Sequence, residues 1–334
     1  MSILLTGATG FLGKELYRGL QSKGLPVVGM SRHGPDVIGD ITVSGLGIPS
    51  YKYSTIIHSA ASLSFSQKDR ESTFRINADG TKNVCRWALD NKVNTLIYIS
   101  TAYTCGDFKG SWGEHDFYRG QSFHNPYEES KLKGEVYVRE VSNFLNTIII
   151  RPGIIVGRSD NGCSSSFEGF YKPVKAIARV MMLMEKRLKL PKREMMESTL
   201  RLPKLHLPLA IKGNPDSTLN LVPVDWVVDR IISLIYSDSG TYHLTDPLPL
   251  TNREICEGIN EALGITGPHF DKEARLLQPH DRIYNKMVKD FLPYLQNEPK
   301  FISSVDSSLL VTKDKKRGIV NMVKYWREHE QVIP

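Results

Sequence analysis

The sequence predicts an α/β fold: a doubly wound parallel sheet with a smaller, discontinuous second domain. Three observations carry this. Short apolar runs alternate with segments of helical spacing through the first half of the chain. A glycine-rich turn, Thr6-Gly7-Ala8-Thr9-Gly10-Phe11-Leu12-Gly13, follows the first apolar run directly. After about Gly157 the character changes, to a Gly/Ser stretch, a methionine-bearing helix and a basic, proline-punctuated region, before sheet-like sequence resumes near Asn220. Buried-looking strands separated by helices imply a parallel sheet covered on both faces.

The elements follow in order. Ser2 to Leu5 reads as a strand, and Phe11 to Gln21 as a helix whose Leu12, Leu16 and Leu20 stand four apart. Pro26–Met30, Thr55–His58, Thr95–Ser100 and Asn146–Arg151 read as further strands, with a helix from about Asn77 to Asn91 between two of them. A helix opens at Asn125, where Pro126 fits the first helical position and Glu128 sits where a capping-box acid belongs. Tyr127 then falls in its first turn and Lys131 one turn later. Tyr242–Thr245 reads as one more strand, Thr251-Asn-Arg-Glu254 as a capping box, and Asp314 to about His329 as a closing helix. These assignments place a dinucleotide-binding domain at 1–158 and 217–246 and a substrate-binding domain at 159–216 and 247–334.

Composition narrows the function classes. The net charge of +7 is spread along 334 residues without a dense basic stripe interleaved with aromatics, which argues against nucleic acid and for solubility or an anionic ligand. Cys85, Cys105, Cys163 and Cys256 form no CxxC pair and suggest neither a disulfide framework nor a metal site, so a reduced, cytoplasmic compartment is expected. No apolar stretch approaches the ~20 residues that a membrane span needs.

The chemistry is carried by a few residues. A strand, then Gly7-x-x-Gly10-x-x-Gly13, then a helix sets free backbone N–H groups and a helix N-terminus against a pyrophosphate, with Thr9, Phe11 and Leu12 in the same turn. Arg32 follows the second strand, where the adenosine ribose belongs. With no Asp or Glu from Gly29 to Arg32, a 2′-phosphate and hence NADPH is favoured over NADH. Asp40 and Ile41 either close over the adenine edge or form a simple turn. Ser59, Ala60 and Ala61 are small enough to let a cofactor approach the backbone, and His58 before them reads as a core histidine. Asn77 is either a helix cap or a polar anchor behind the cofactor. Tyr127 and Lys131 share a helix face, so that the ammonium can lower the phenol pKa and make Tyr127 a proton donor near neutral pH. Thr101, at a strand end, can hydrogen-bond a substrate oxygen as charge develops there.

Together these residues resemble the extended branch of the short-chain dehydrogenase/reductase superfamily, a Rossmann-type fold, over at least residues 1 to 265. The resemblance implies Gly7, Gly10 and Gly13 as the nucleotide turn and Thr101, Tyr127 and Lys131 as the catalytic set. Ser100, beside the matched hydroxyl, falls among the cofactor-side residues. A narrower likeness, in Tyr127-Glu-Glu-Ser-Lys131-Leu-Lys-Gly-Glu135, Arg151-Pro-Gly-Ile-Ile-Val-Gly157 and Leu221-Val-Pro-Val-Asp225, is to thioester and fatty acyl-CoA reductases. It adds Pro152, Gly153 and Ile154 to the cofactor-side set. It also implies an NADPH-dependent reduction of a CoA- or carrier-bound acyl thioester, with a related ketone or aldehyde close behind. The short stretch between the second strand and Asp40 is closer to sugar-nucleotide epimerases and dehydratases, which is the alternative. A dinucleotide sensor without turnover is a second alternative, and a homodimer is a further expectation. In the insert, Lys172, Lys175 and Arg179 are either phosphate contacts or a solvated face. Met181, Met182 and Met184 suit an acyl pocket or a core equally, and Phe167, Phe170 and Tyr171 are candidates for the same wall. His115 and His124 are placed before Tyr127 as candidates for a site entrance.

Overall fold

The computed structural model describes residues 2–187, 205–273, 278–311 and 314–330. Residues 188–204 of the basic stretch singled out above lie outside the described residues. The chain divides into two units, 1–155 with 221–247 and 299–311, and 156–220 with 248–298 and 312–334. Residues 299–311 thus join the first unit, where the sequence reading assigned them to the second. Their strand Lys300–Phe301 pairs in parallel with Ser111–Trp112.

The first unit is built on seven parallel strands: β1 (Ile3–Thr6), β2 (Val27–Ser31), β3 (Val37–Ile38), β4 (Thr55–His58), β5 (Thr95–Ile99), β6 (Asn146–Pro152) and β7 (Gly240–Leu244). Their spatial order is β7-β6-β5-β4-β1-β2-β3. The order reverses between β1 and β4, which pair from Ile3 with Thr55 to Thr6 with His58. In such sheets the crevice beyond the carboxyl ends of the strands at this reversal receives the ligand.

Period-two alternation divides the core. Leu5, Ile57 and Ile97 face helices α1 (Phe11–Ser22) and α4 (Val224–Ser233), whose Leu12, Leu16, Leu20, Val227 and Ile231 are buried against them. Leu4, Ile56 and Leu96, one residue earlier on the same strands, face the other layer. There Val84, Trp87 and Ala88 of α2 (Gly80–Asp90) and Val138 of α3 (Pro126–Glu140) close the core. Strands buried on both faces need apolar residues at successive positions, and this is why they read as runs rather than alternations. Each fully buried Leu or Ile contributes about 1.5–3 kcal/mol.

One helix starts earlier than the sequence suggests. The spacing opens it at Asn77, but a continuous helical path already runs from Arg70 through a widened turn at Arg75–Asp79 into α2. Asn77 is therefore internal and does not act as a cap.

In the second unit, Thr251 and Glu254 form the expected capping box for the helix Asn252–Leu263, which ends at Gly264 with φ +67°. Asp314 caps the helix Lys315–His329 by accepting from the Arg317 N–H. The strand Ala210–Lys212 pairs in parallel with His269–Asp271. Among the described residues no helix is long and apolar enough to cross a membrane.

Candidate active site

The glycine turn is held by backbone proximity. Gly7 has φ +73°, and a Cβ there would lie 2.7 Å from the Ala60 Cα and N. A Cβ on Gly13 would lie 2.0 Å from the Gly7 carbonyl oxygen. The first glycine thus lets the carboxyl ends of β1 and β4 meet, and the third seats α1 against the turn. Gly10 is the N-cap of α1 and brings no side-chain hydrogen bond to the helix start. Thr9 and Gly10 are exposed, whereas Leu12 and Gly13 are buried. A left-handed turn, a bare helix N-terminus and small residues at Ser59 and Ala60 form a cradle suited to a dinucleotide pyrophosphate.

Behind this cradle, His58 is a satisfied core histidine. Thr81 donates its hydroxyl to the Asn77 carbonyl at 2.6 Å, so it accepts from His58 Nε2–H at 3.0 Å, and Thr6 donates to Nδ1 at 2.7 Å. Burial, with Lys131 nearby, holds the ring neutral by lowering its pKa to about 3.

The adenosine-side residues divide. Arg32 is exposed at the end of β2. Asp40 accepts the Thr42 N–H at 2.8 Å and its hydroxyl at 2.9 Å. These bonds, with Arg32 and Arg75 nearby, lower its pKa despite partial burial. Ile41 is buried against Gly80, where a Cβ would lie 2.7 Å from its Cδ1, and its carbonyl accepts from Asn83. The Ile41 side chain thus belongs to the core of the first unit.

Thr101, Tyr127 and Lys131 converge at the end of β5. Asn125 caps α3 by accepting the Glu128 N–H at 3.1 Å, and Glu128 reaches back to the His124 N–H at 2.8 Å. This double cap fixes the first turn of α3 and with it Tyr127. The Thr101 hydroxyl beside the phenol favours ionisation. Desolvation dominates, however, and with the Glu128 carboxylate close by it holds the Tyr127 pKa well above 10. Lys131 is 2 % exposed. Its ammonium donates to the Ile99 carbonyl at 2.5 Å and lies 4.1 Å from the centre of the Tyr98 ring. Burial lowers its pKa to about 7, partly opposed by Glu135. The sequence reading expected Lys131 to depress the phenol directly. In this structure its Nζ is turned to Ile99 and Tyr98 instead, and Thr101 is the group that partly opposes the upward shift of the Tyr127 pKa.

Ser100, one residue before Thr101, is committed elsewhere. Its hydroxyl donates to Glu135 at 2.7 Å, and the same carboxylate takes two bonds from Arg151, at 2.8 and 2.7 Å. Asn77 donates to Ser130 and to the Ser62 carbonyl, each at 3.0 Å, and accepts the Ser62 N–H at 2.7 Å. It ties the loop after β4 to α3. Pro152 closes β6, and Gly153 donates to the Leu244 carbonyl at 3.0 Å. Ala61 is exposed, and Ile154 is half-buried.

Lys175 pairs with Glu330 at 2.6 Å and Lys172 approaches Glu168 at 3.9 Å, while Arg179 is exposed. Phe170 and Tyr171 are buried, with Phe167 edge-on to Tyr171. Met181, Met182 and Met184 are half-buried, and His115 and His124 are exposed. Phe65, which the sequence reading missed, has its ring centre 5.9 Å from that of Tyr127.

Against known proteins, residues 35–231 match the NAD-binding family described as male sterility protein. The chain belongs to this family. It lies within the extended short-chain dehydrogenase/reductases, and the glycine turn precedes the matched span. The terminal R domain of the myxalamid PKS-NRPS pathway superposes with a TM-score of 0.74 at 21% identity, covering 98% of this chain and 90% of that one. A fatty acyl-CoA reductase (wat) of Drosophila melanogaster is 21% identical over 247 residues, 64% of this chain and 43% of the relative. The UDP-glucose 4-epimerase of Vibrio cholerae is 28% identical over 174 residues, 47% of this chain and 52% of the relative. The chain thus spans about half the length of these curated relatives.

Proposed function

We propose that the protein is an NADPH-dependent reductase that delivers hydride to a carbonyl carbon, foremost that of a CoA- or carrier-bound acyl thioester. The observation that carries the reading is the placing of the Thr101 hydroxyl next to the Tyr127 phenol, with Lys131 one turn further along α3, beside the Gly7–Gly13 cradle. The cradle and the α1 N-terminus hold the pyrophosphate, Arg32 meets a 2′-phosphate, and Lys131 meets the nicotinamide ribose. Bound there, the reduced nicotinamide supplies the hydride.

Thr101 and Tyr127 present two hydroxyls to the substrate oxygen. As negative charge grows on it, Thr101 donates a hydrogen bond and Tyr127 gives up its proton. A phenol with a raised pKa is a poor acid toward water but is matched to an alkoxide, a far stronger base. For a thioester, the resulting hemithioacetal releases the thiol and leaves the aldehyde. The overall balance is thioester, NADPH and a proton to aldehyde, thiol and NADP+.

The reading is supported by family membership and by the likeness to a fatty acyl-CoA reductase and an R domain. The epimerase likeness supports a second reading, in which a sugar nucleotide is the substrate. Initial rates of NADPH oxidation with dodecanoyl-CoA, a pantetheine thioester and decanal, and of UDP-galactose formation from UDP-glucose, separate the two. Turnover of a thioester to aldehyde supports the first. Epimerisation of UDP-glucose with retained dinucleotide replaces it with the second.

A further inference from the structure

The loop that follows β4 has no regular secondary structure, yet its backbone is stitched by alternate residues. In Ser62-Leu63-Ser64-Phe65-Ser66 the three serines hydrogen-bond along the loop and into the unit. The Ser62 hydroxyl accepts the Ser64 N–H at 3.4 Å, and Ser64 accepts the Ser66 N–H at 3.3 Å. Ser64 donates to Asp69 at 2.7 Å, and Ser66 caps the following turn by accepting the Lys68 N–H at 3.3 Å. Asn77 clamps the Ser62 backbone from both sides. Further on, Arg70 makes two 2.8 Å bonds to Glu129 of α3, two residues beyond Tyr127. The loop is thereby fixed against the helix that carries the proposed proton donor.

The two residues between these serines, Leu63 and Phe65, are apolar. Leu63 is 58% exposed, and the half-buried Phe65 ring lies 5.9 Å from Tyr127 at an interplanar angle of 34°. A hydrocarbon gains from two apolar side chains at this place through removal of apolar surface from water.

We infer that Leu63 and Phe65 form the apolar wall along which the hydrocarbon chain next to the reacting carbonyl lies, and that they set the enzyme's preference for chain length. The inference rests on Tyr127 as the proton donor, and it names the substrate feature read beside that residue. A wall covering one side of the chain yields about a twofold gain per methylene, against roughly fourfold for complete burial.

The test is the slope of log kcat/KM against chain length for butanoyl- to dodecanoyl-CoA with NADPH. Wild type is compared with Leu63→Ser, Phe65→Ser, the double variant, and Phe65→Leu, with every serine of the loop intact. The slope is steep in wild type and in Phe65→Leu, and flat in the double variant through loss of the KM trend. An unchanged slope in the double variant overturns the wall. If wild type reduces no thioester, the thioester reading itself fails, and the wall is then tested by n-alkanol binding to the NADPH complex. A chain-length trend in Kd that the double variant loses supports the wall, and equal trends overturn it.

Discussion

Ser100 and Glu135 are joined by a 2.7 Å hydrogen bond that gives two adjacent hydroxyls different work. Ser100 is turned to the buried Glu135–Arg151 pair, leaving Thr101 as the hydroxyl that meets Tyr127. Glu135 lies one helical turn beyond Lys131, so the same carboxylate that anchors β5 and β6 to α3 also favours the charged form of the lysine. The end of β5 and the helix that faces it are locked together next to the reacting groups.

That lock is expected to carry stability. Glu135 and Arg151 are both 0% exposed, and removing one partner strands a buried charge. Glu135→Gln or Arg151→Met is expected to cost about 3–5 kcal/mol in urea unfolding. The double substitution Glu135→Leu with Arg151→Met is expected to cost clearly less than the sum, because it strands neither member of this pair. Strict additivity contradicts the coupling.

Tyr127→Phe keeps the ring and its contact with Phe65 but removes the proton. A fall in kcat of about 10²–10⁴ is expected on the best substrate found. NADPH affinity by fluorescence titration should stay within about twofold. Full turnover by the variant eliminates Tyr127 as proton donor.

Much of the site is legible in the sequence because local rules place it. The glycines, the double cap of α3 and the four-residue step from Tyr127 to Lys131 all act within one turn or one helix. Less legible is what long-range packing decides. Nothing local reports that the Lys131 ammonium turns to Ile99 and Tyr98, or that Ile41 packs on Gly80. Nor does a local rule show that a widened turn makes Asn77 internal. Phe65 carried a faint signal in the alternating serines, but only the fold brings its ring to Tyr127.

Cofactor choice is tested at Arg32. A guanidinium on a 2′-phosphate is a charge-assisted contact of about 1.5–3 kcal/mol. Arg32→Ala is expected to weaken NADPH binding about 10- to 100-fold and leave NADH within about twofold, measured by titration at fixed ionic strength. Equal losses for both dinucleotides contradict a phosphate-specific role.

Lys131 makes a signed prediction about pH. Its pKa falls from an unfolded value near 10.5 to about 7 in the fold. Between these values the unfolded chain binds more protons, so stability rises with pH from 7 toward 10.5. Below pH 7 the buried ammonium imposes its full cost, on the order of 5 kcal/mol. The groups facing it are Glu135 on its own helix, His58 on β4, Tyr98 on β5 and, through Glu135, Arg151 on β6. His58 titrates at about 3 when folded and 6.5 when unfolded, so its contribution falls below this window. Tyr98 is raised well above 10 and stays neutral through it. Lys131→Met is therefore expected to be more stable than wild type at pH 6 and to lose that advantage progressively as pH rises to 9. Urea midpoints at pH 6, 7, 8 and 9 measure this difference. Because the variant retains the other titrating groups, their direct contributions largely cancel in the subtraction. A wild type and variant with parallel pH profiles place the ammonium in water-like surroundings and contradict the buried contact with Ile99 and Tyr98.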